Sequence, residues 1–267
     1  MSDVDAETYV REIGNGRYTT RLHAAWNIGA NPNGGYALLP ALRAMLDVAV
    51  HPDPLSLTVH FLRPATANCD ADVTARIVRA GRTTTNVTAT MTQDGTDRLV
   101  VHAVLGDLAA ASPGAASGAD LAPAPPDLPA PEQCVDRREL GQGVGLPILS
   151  RLDVRVRPEH VVADRSGAAV VEGWVRFTDG TPPQTHWLPL FADAFPPALR
   201  TRMGAVGWVP TIELTVHVRR RPVAGWVLAR FECDDIDSGR MIESGTLWDN
   251  TGAVIARSRQ LGLVLTR

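Results

Sequence analysis

Leu57-Thr58-Val59-His60 occurs again as Leu214-Thr215-Val216-His217, 157 positions later (214 − 57 = 157). Working outward, Pro40-Ala41-Leu42-Arg43 returns as Pro197-Ala198-Leu199-Arg200 at the same spacing (197 − 40 = 157). Gly95 returns as Gly252 (252 − 95 = 157), and Gly81-Arg82 returns as Gly239-Arg240 with one residue more (239 − 81 = 158). Any one short word recurs by chance. Four of them in one order, at a nearly constant offset, mark two tandem copies of one fold.

The pattern inside each copy says what that fold is. Arg17–Trp26 alternates as a strand, with Tyr18, Thr20 and Leu22 on one face. Asn31-Pro32-Asn33-Gly34-Gly35 is a turn, and Asn33 is a good N-cap. Leu38, Leu42, Met45 and Ala49 follow at helical spacing. A helix is therefore predicted from Gly34 to about Val50, stopped by His51-Pro52-Asp53-Pro54. Leu57, Val59 and Phe61 alternate with Thr58 and His60, and Val73–Val78, Thr83–Thr92 and Leu99–Leu105 supply three more strands. The second half predicts strands at Leu152–Val156 and Val170–Phe177, then a helix over Leu188–Met203 interrupted by Pro196-Pro197. Strands at Ile212–Val218, Val227–Phe231, Arg240–Trp248 and Ala253–Val264 complete it. The fold class is α+β: two units, each a helix that buries its apolar face in a curved antiparallel sheet. The units are expected at residues 1–108 and 132–267. Between them, 109–131 is rich in alanine, proline, serine and glycine and reads as a linker. Pairing two such units closes a sheet edge and enlarges the core.

Composition limits what the fold can do. The chain has 267 residues, 45% hydrophobic and 21% charged, with a formal net charge of -3. That balance offers no broad basic face, so nucleic acid is not an expected partner. No apolar run approaches the ~20 residues that span a bilayer. Met1-Ser2-Asp3-Val4-Asp5-Ala6-Glu7 is acidic and lacks a secretory pattern, so a cytoplasmic location is expected. Cys69, Cys134 and Cys233 match no metal or disulfide spacing and read as reduced thiols. No metal or cofactor is expected. Trp26, Trp187, Trp208 and Trp248 read as core or interface anchors.

The repeat also permits a subtraction. Moving back 157 positions, Asp193 maps to Tyr36, Thr211 to Pro54 and Gln260 to Ala103. Three polar groups stand in the second copy where the first has little matching chemistry. Asp193 falls in the expected first turns of the helix, Thr211 at the head of the next strand and Gln260 in the last one. A carboxylate, a hydroxyl and an amide brought together suit a bound water, whose proton Asp193 accepts while Thr211 and Gln260 set its direction. A helix start near Asp193 favours its charged form, whereas shielding by Phe191 and Phe195 raises its pKa. Strict alternation places Thr211 on the face opposite Ile212, Leu214 and Val216, away from the helix unless the strand bends at Pro210. Gly34-Gly35 lets another molecule approach the backbone, and its N–H groups can bind a developing oxyanion. If the halves pair, Gly35 faces Asp193 across the interface. His60 is a further candidate to touch substrate. Arg79, Arg82 and Arg240 flank turns and are candidates for phosphates, with Arg82 the one carried forward.

Asn33-Gly34-Gly35-Tyr36, Leu57 through Pro64, and Arg79-Ala80-Gly81-Arg82 resemble the first half of the acyl-CoA thioesterase II family. Phe191-Ala192-Asp193, Pro210-Thr211-Ile212-Glu213 and Ser258-Arg259-Gln260 resemble its second half. The resemblance implies a double hotdog fold and hydrolysis of acyl-CoA thioesters by a water held by an Asp, a Thr and a Gln. Those roles carry to Asp193, Thr211 and Gln260. It also implies a homodimer or higher homo-oligomer. Hotdog hydratases, by resemblance, carry a His five residues after the Asp, where this chain has Ala198. A non-catalytic acyl-CoA or acyl-pantetheine binding protein on the same fold stays open as an alternative.

Overall fold

The computed structural model describes residues 3–110, 121–141, 143–165, 167–206 and 209–265. Trp208 and residues 111–120 of the linker lie outside the described residues. In the first half, β1 (Arg11–Gly14) and β2 (Arg17–Arg21) precede helix α1 (Gly34–Val48). Strands β3 (Asp53–Phe61), β4 (Asp70–Ala80), β5 (Thr85–Gln93) and β6 (Thr96–Gly106) follow. The second half has β7 (Leu152–Val156) and β8 (Val170–Phe177), then the short helices α2 (Leu188–Ala192) and α3 (Arg200–Met203). It ends with β9 (Thr211–Val218), β10 (Val227–Asp237), β11 (Arg240–Trp248) and β12 (Val254–Leu263). Two expectations shift: a strand, β1, precedes β2, and the strand expected over Arg17–Trp26 ends at Arg21. The second helix is interrupted at Pro196-Pro197 as expected, into two short pieces.

All these strands join one antiparallel sheet in the order β1-β2-β4-β5-β6-β3-β9-β12-β11-β10-β8-β7, with Val135–Asp136 at the far edge. The halves meet at β3 and β9, where Leu57 faces Val216, Thr58 faces Thr215 and Val59 faces Leu214. Thr58 thus pairs with its own copy, and the two hydroxyls lie 2.9 Å apart. A residue can face its own repeat only if a two-fold axis passes between the strands. The offset of 157 is therefore visible as a local symmetry of the sheet.

Helix α1 is buried almost all round, from Gly35 to Met45. One side packs on strands β4, β5 and β6, and another meets α2 from the second half. A helix covered on both sides needs no polar stripe, which explains its apolar run. Gly35 lets the helices come together: a Cβ there would lie 2.7 Å from the Leu190 Cα and 2.9 Å from the Pro189 carbonyl oxygen. An aromatic cluster runs across the same junction. Trp26 stacks on Tyr36 with centroids 5.0 Å apart, and Phe177 contacts Trp26, Trp187 and Phe191. Further along the linker, the Pro129 carbonyl accepts from the Trp174 indole at 2.9 Å and Leu128 packs with Leu228, Trp248 and Val254. That stretch is a strap on the second unit.

β9 carries the local feature that matters most for the site. Thr211 pairs with Gly262 but Glu213 pairs with Leu261, so one extra residue bulges at Ile212. Pro54 pairs with Leu105 and Ser56 with Val104, so β3 bulges at the same place in the first copy. A bulge shifts the alternation by one residue. It returns Thr211 to the face of Leu214 and Val216, toward the helices. The irregularity that turns Thr211 inward lies at Ile212, two residues after Pro210.

Candidate active site

Asp193 follows directly on α2 and caps its C-terminal end. This corrects the expectation that its own helix start would favour its charge. The helix N-terminus that reaches it belongs to the other half. The Gly35 N–H donates to Asp193 Oδ2 at 2.8 Å, and Asn33 Nδ2 donates to the same oxygen at 2.7 Å. Asn33 Nδ2 also reaches the Asp193 carbonyl at 2.9 Å, while Asn33 Oδ1 caps α1 through the Tyr36 N–H. One asparagine therefore starts the first-half helix and holds the second-half carboxylate.

Opposing influences act on that carboxyl. Burial is the larger and pushes its pKa up, to about 6. The hydrogen bonds from Gly35 and Asn33, and the charge of Arg137, pull the other way. Arg137 is itself buried, lines the same cavity and donates to the Ala194 carbonyl. Burial lowers its pKa to about 10, so it stays charged near neutrality. A base that titrates near 6 is ionised at neutral pH and still basic enough to take a proton from water.

Asp193 opens on a cavity of about 240 Å³ between the halves. Thr211 and Gln260 line the same cavity, brought there by the β9 bulge and by the inward face of β12. Among the described residues no hydrogen bond joins Asp193 directly to either. The three groups share the lining of that cavity. Gly34 is on the wall, and a Cβ there would sit 3.1 Å from Asp193 Oδ2.

Other expected residues fall elsewhere. The Gly35 N–H is committed to the Asp193 carboxylate and is not left for an oxyanion, while Gly34 lines the cavity. His60 is exposed on the outer face of β3, because Leu57 and Val59 take the inner one. Arg82 is exposed in the turn between β4 and β5 and does not line the cavity. Arg79 and Arg240 are likewise outside it. The arginines that line the cavity are Arg63, Arg98 and Arg137. Sequence reasoning missed the roles of Asn33 and Arg137 in holding Asp193, and it missed the carboxyl of Glu243 on the cavity wall. The Asn33 signal was present in the N-cap before Gly34-Gly35.

Comparison with known proteins settles the family. Residues 22–106 match the acyl-CoA thioesterase N-terminal domain, and residues 123–264 match the acyl-CoA thioesterase C-terminal domain. The chain belongs to the acyl-CoA thioesterase family. A Thermobifida fusca protein assigned as a thioesterase II is 30% identical, with a TM-score of 0.87 over 100% of this chain and 98% of that one. The hot dog fold appears in a protein of unknown function from Alicyclobacillus acidocaldarius, 22% identical with a TM-score of 0.83 over 100% of this chain and 99% of that one. The acyl-CoA thioesterase II TesB2 of Mycobacterium marinum shares it too, at 18% identity and a TM-score of 0.74 over 99% of this chain and 98% of that one. The double hotdog is thus the fold of this family member. An uncharacterized Mycobacterium tuberculosis protein is 28% identical over 54% of the chain. The chain spans about half the length of the curated relatives it matches, 48%. No helix among the described residues is long and apolar enough to cross a membrane.

Proposed function

We propose that this family member hydrolyses acyl-CoA thioesters with a water held among Asp193, Thr211 and Gln260. Asp193 accepts a proton from the water as its oxygen attacks the thioester carbonyl carbon. The tetrahedral intermediate then breaks its C–S bond, and the proton held on Asp193 passes to the departing thiolate. The products are a free acid and CoA. Thr211 and Gln260 restrict the water to orientations that lead to attack, which lowers the entropic part of the barrier. The observation that supports this best is the buried Asp193 carboxyl, held by Asn33 and Gly35 of the other half and opening on the cavity that Thr211 and Gln260 share.

The test is release of free thiol from a panel of acyl-CoA thioesters of short to long chain. Turnover is expected on at least one, and Asp193→Asn is expected to reduce kcat by tenfold or more, about 1.4 kcal/mol in barrier. Saturable binding with no thiol release on any of them would instead identify a non-catalytic acyl-CoA binding protein.

A further inference from the structure

A second carboxyl opens on the cavity, and the hydrolysis above gives it no part. Glu243 lies on the inner face of β11, beside Gln260 on β12 and Cys233 on β10. It is 6% exposed. Both of its oxygens are engaged. Oε2 accepts the Ala198 N–H at 2.6 Å, and Oε1 accepts Gln260 Nε2 at 3.4 Å. The first bond answers a local need. Pro196-Pro197 breaks the second-half helix, and the N–H just past the break has no helical carbonyl to meet. The second bond has a chemical consequence. A carboxylate only accepts, so it binds the amide end of Gln260 that donates. The carbonyl end of Gln260 is then the one turned toward the cavity.

That orientation suits an attacking water. A water has two protons to give. With one accepted by Asp193 and the other by Gln260 Oε1, a lone pair is left for the thioester carbon. Were the amide reversed, its NH2 would donate to one of the water's two lone pairs, drawing density from the attacking oxygen and leaving the second proton without the acceptor that orients it. We propose that Glu243 is a positioning residue, which fixes the Gln260 amide with its carbonyl facing the hydrolytic water. The inference rests on the thioesterase reading given above.

The same geometry makes the arrangement sensitive to proton uptake. Burial, and then the charge of Asp193, push the Glu243 pKa up to about 7, against the Ala198 hydrogen bond. The titratable groups that face it are Asp193 from the helix side and Cys233 from β10. Burial holds the Cys233 thiol near 11, so it stays neutral. Arg137 lines the same cavity. A protonated Glu243 can donate to Gln260 and favour the reversed amide.

Glu243→Gln separates positioning from support. Its amide oxygen is drawn to the Ala198 N–H, which leaves its NH2 facing Gln260 and reverses that amide while the fold persists. The expected result is a fall in kcat of tenfold or more, with KM within about threefold and no loss of Tm. The second readout needs no turnover: the side-chain NH2 signal of Gln260 in protein labelled with 15N-glutamine, identified by its absence in Gln260→Ala. In the unmodified protein this signal is expected to titrate with a midpoint near 7, and in Glu243→Gln that titration is expected to vanish. The inference is overturned if the Gln260 signal is flat with pH in the unmodified protein or titrates alike in both. An active enzyme whose kcat is unchanged by Glu243→Gln overturns it as well. If Glu243→Gln does not fold, the titration of the unmodified protein decides. If no thioester is turned over, the thioesterase reading fails, and the amide signal still tests the orientation of Gln260.

Discussion

The inner faces of the two halves differ in one layer. In the first half that layer runs Leu57, Ala103, Val87 across β3, β6 and β5. In the second it runs Leu214, Gln260, Glu243 across β9, β12 and β11. Over the apolar layer lies a continuous helix of 15 residues. Over the polar one the helix is broken, and the Glu243 carboxylate meets the N–H exposed past the break. One copy keeps an apolar layer, and the other carries polar groups that line the cavity. Neither copy holds all of the proposed site. The second supplies Asp193, Thr211 and Gln260, while the first supplies the Asn33 and Gly35 donors that hold Asp193. Duplication thus lets donors of one copy hold a buried carboxyl of the other.

The sharpest way to break this division of labour is at Gly35. Its counterpart in the second copy is Ala192 (192 − 35 = 157), so the repeat as such tolerates a Cβ. At Gly35 a Cβ would meet backbone atoms of α2, which cannot rotate away. Gly35→Ala is expected to cost about 3 kcal/mol, or roughly 6–12 °C in Tm, by thermal denaturation. Loss of kcat should be smaller than that of Asp193→Asn, because the base remains while its hydrogen bond from Gly35 moves with the backbone. Retention of both would show that the helices do not depend on this close approach.

Next in size are effects of pH. In the proposed mechanism Asp193 must be ionised to act as base, so kcat/KM is expected to fall steeply below pH ~6, beyond the loss that begins near 7 as Glu243 takes up a proton. Stability moves in the opposite sense. The folded-state pKa of Asp193 is raised above its unfolded value of 3.8, so over the window from 3.8 to about 6 the folded state binds more protons. Stability therefore falls as pH rises through that window and stays reduced above it. Asp193→Asn removes this penalty. Its Tm relative to the unmodified protein is expected to rise between pH 4 and pH 7, by a few degrees. A pH-independent difference in Tm would mean that Asp193 carries no burial penalty.

The smallest expected effect concerns the symmetry itself. Thr58→Val removes the hydroxyl contact with Thr215 on the two-fold axis. A loss of about 0.5–1.5 kcal/mol is expected, with kcat unchanged, since both side chains lie outside the cavity lining. A change in kcat would mean that the seam between the halves transmits to the site.

Much of this was legible in the chain. The constant offset foretold a duplicated unit, and the positions that broke its symmetry in the last strand and at the strand head do line the cavity. Glu243 escaped the same subtraction for a physical reason. At the offset of 157 it maps to Asn86, one polar residue to another. The ladder shows its true counterpart to be Val87 (243 − 87 = 156), because Val87 pairs with Ala103 as Glu243 pairs with Gln260. In a strand, a slip of one residue exchanges the two faces, so an inward carboxyl was read against an outward amide. His60 failed as a candidate by the same alternation, since repeated apolar neighbours place it outside.

By itself, the sequence determined the repeat, the α+β class, the helix start at Asn33-Gly34-Gly35 and the polar residues unique to the second copy, because periodicity, capping and turn chemistry are local. Only the tertiary structure decided that the Asn33 amide and the Gly35 N–H bond the Asp193 carboxylate, that a bulge turns Thr211 inward, and that Glu243 holds Gln260. Those relations join residues between about 17 and 160 positions apart, and they depend on strand register and on close approach between backbones, which local sequence does not encode.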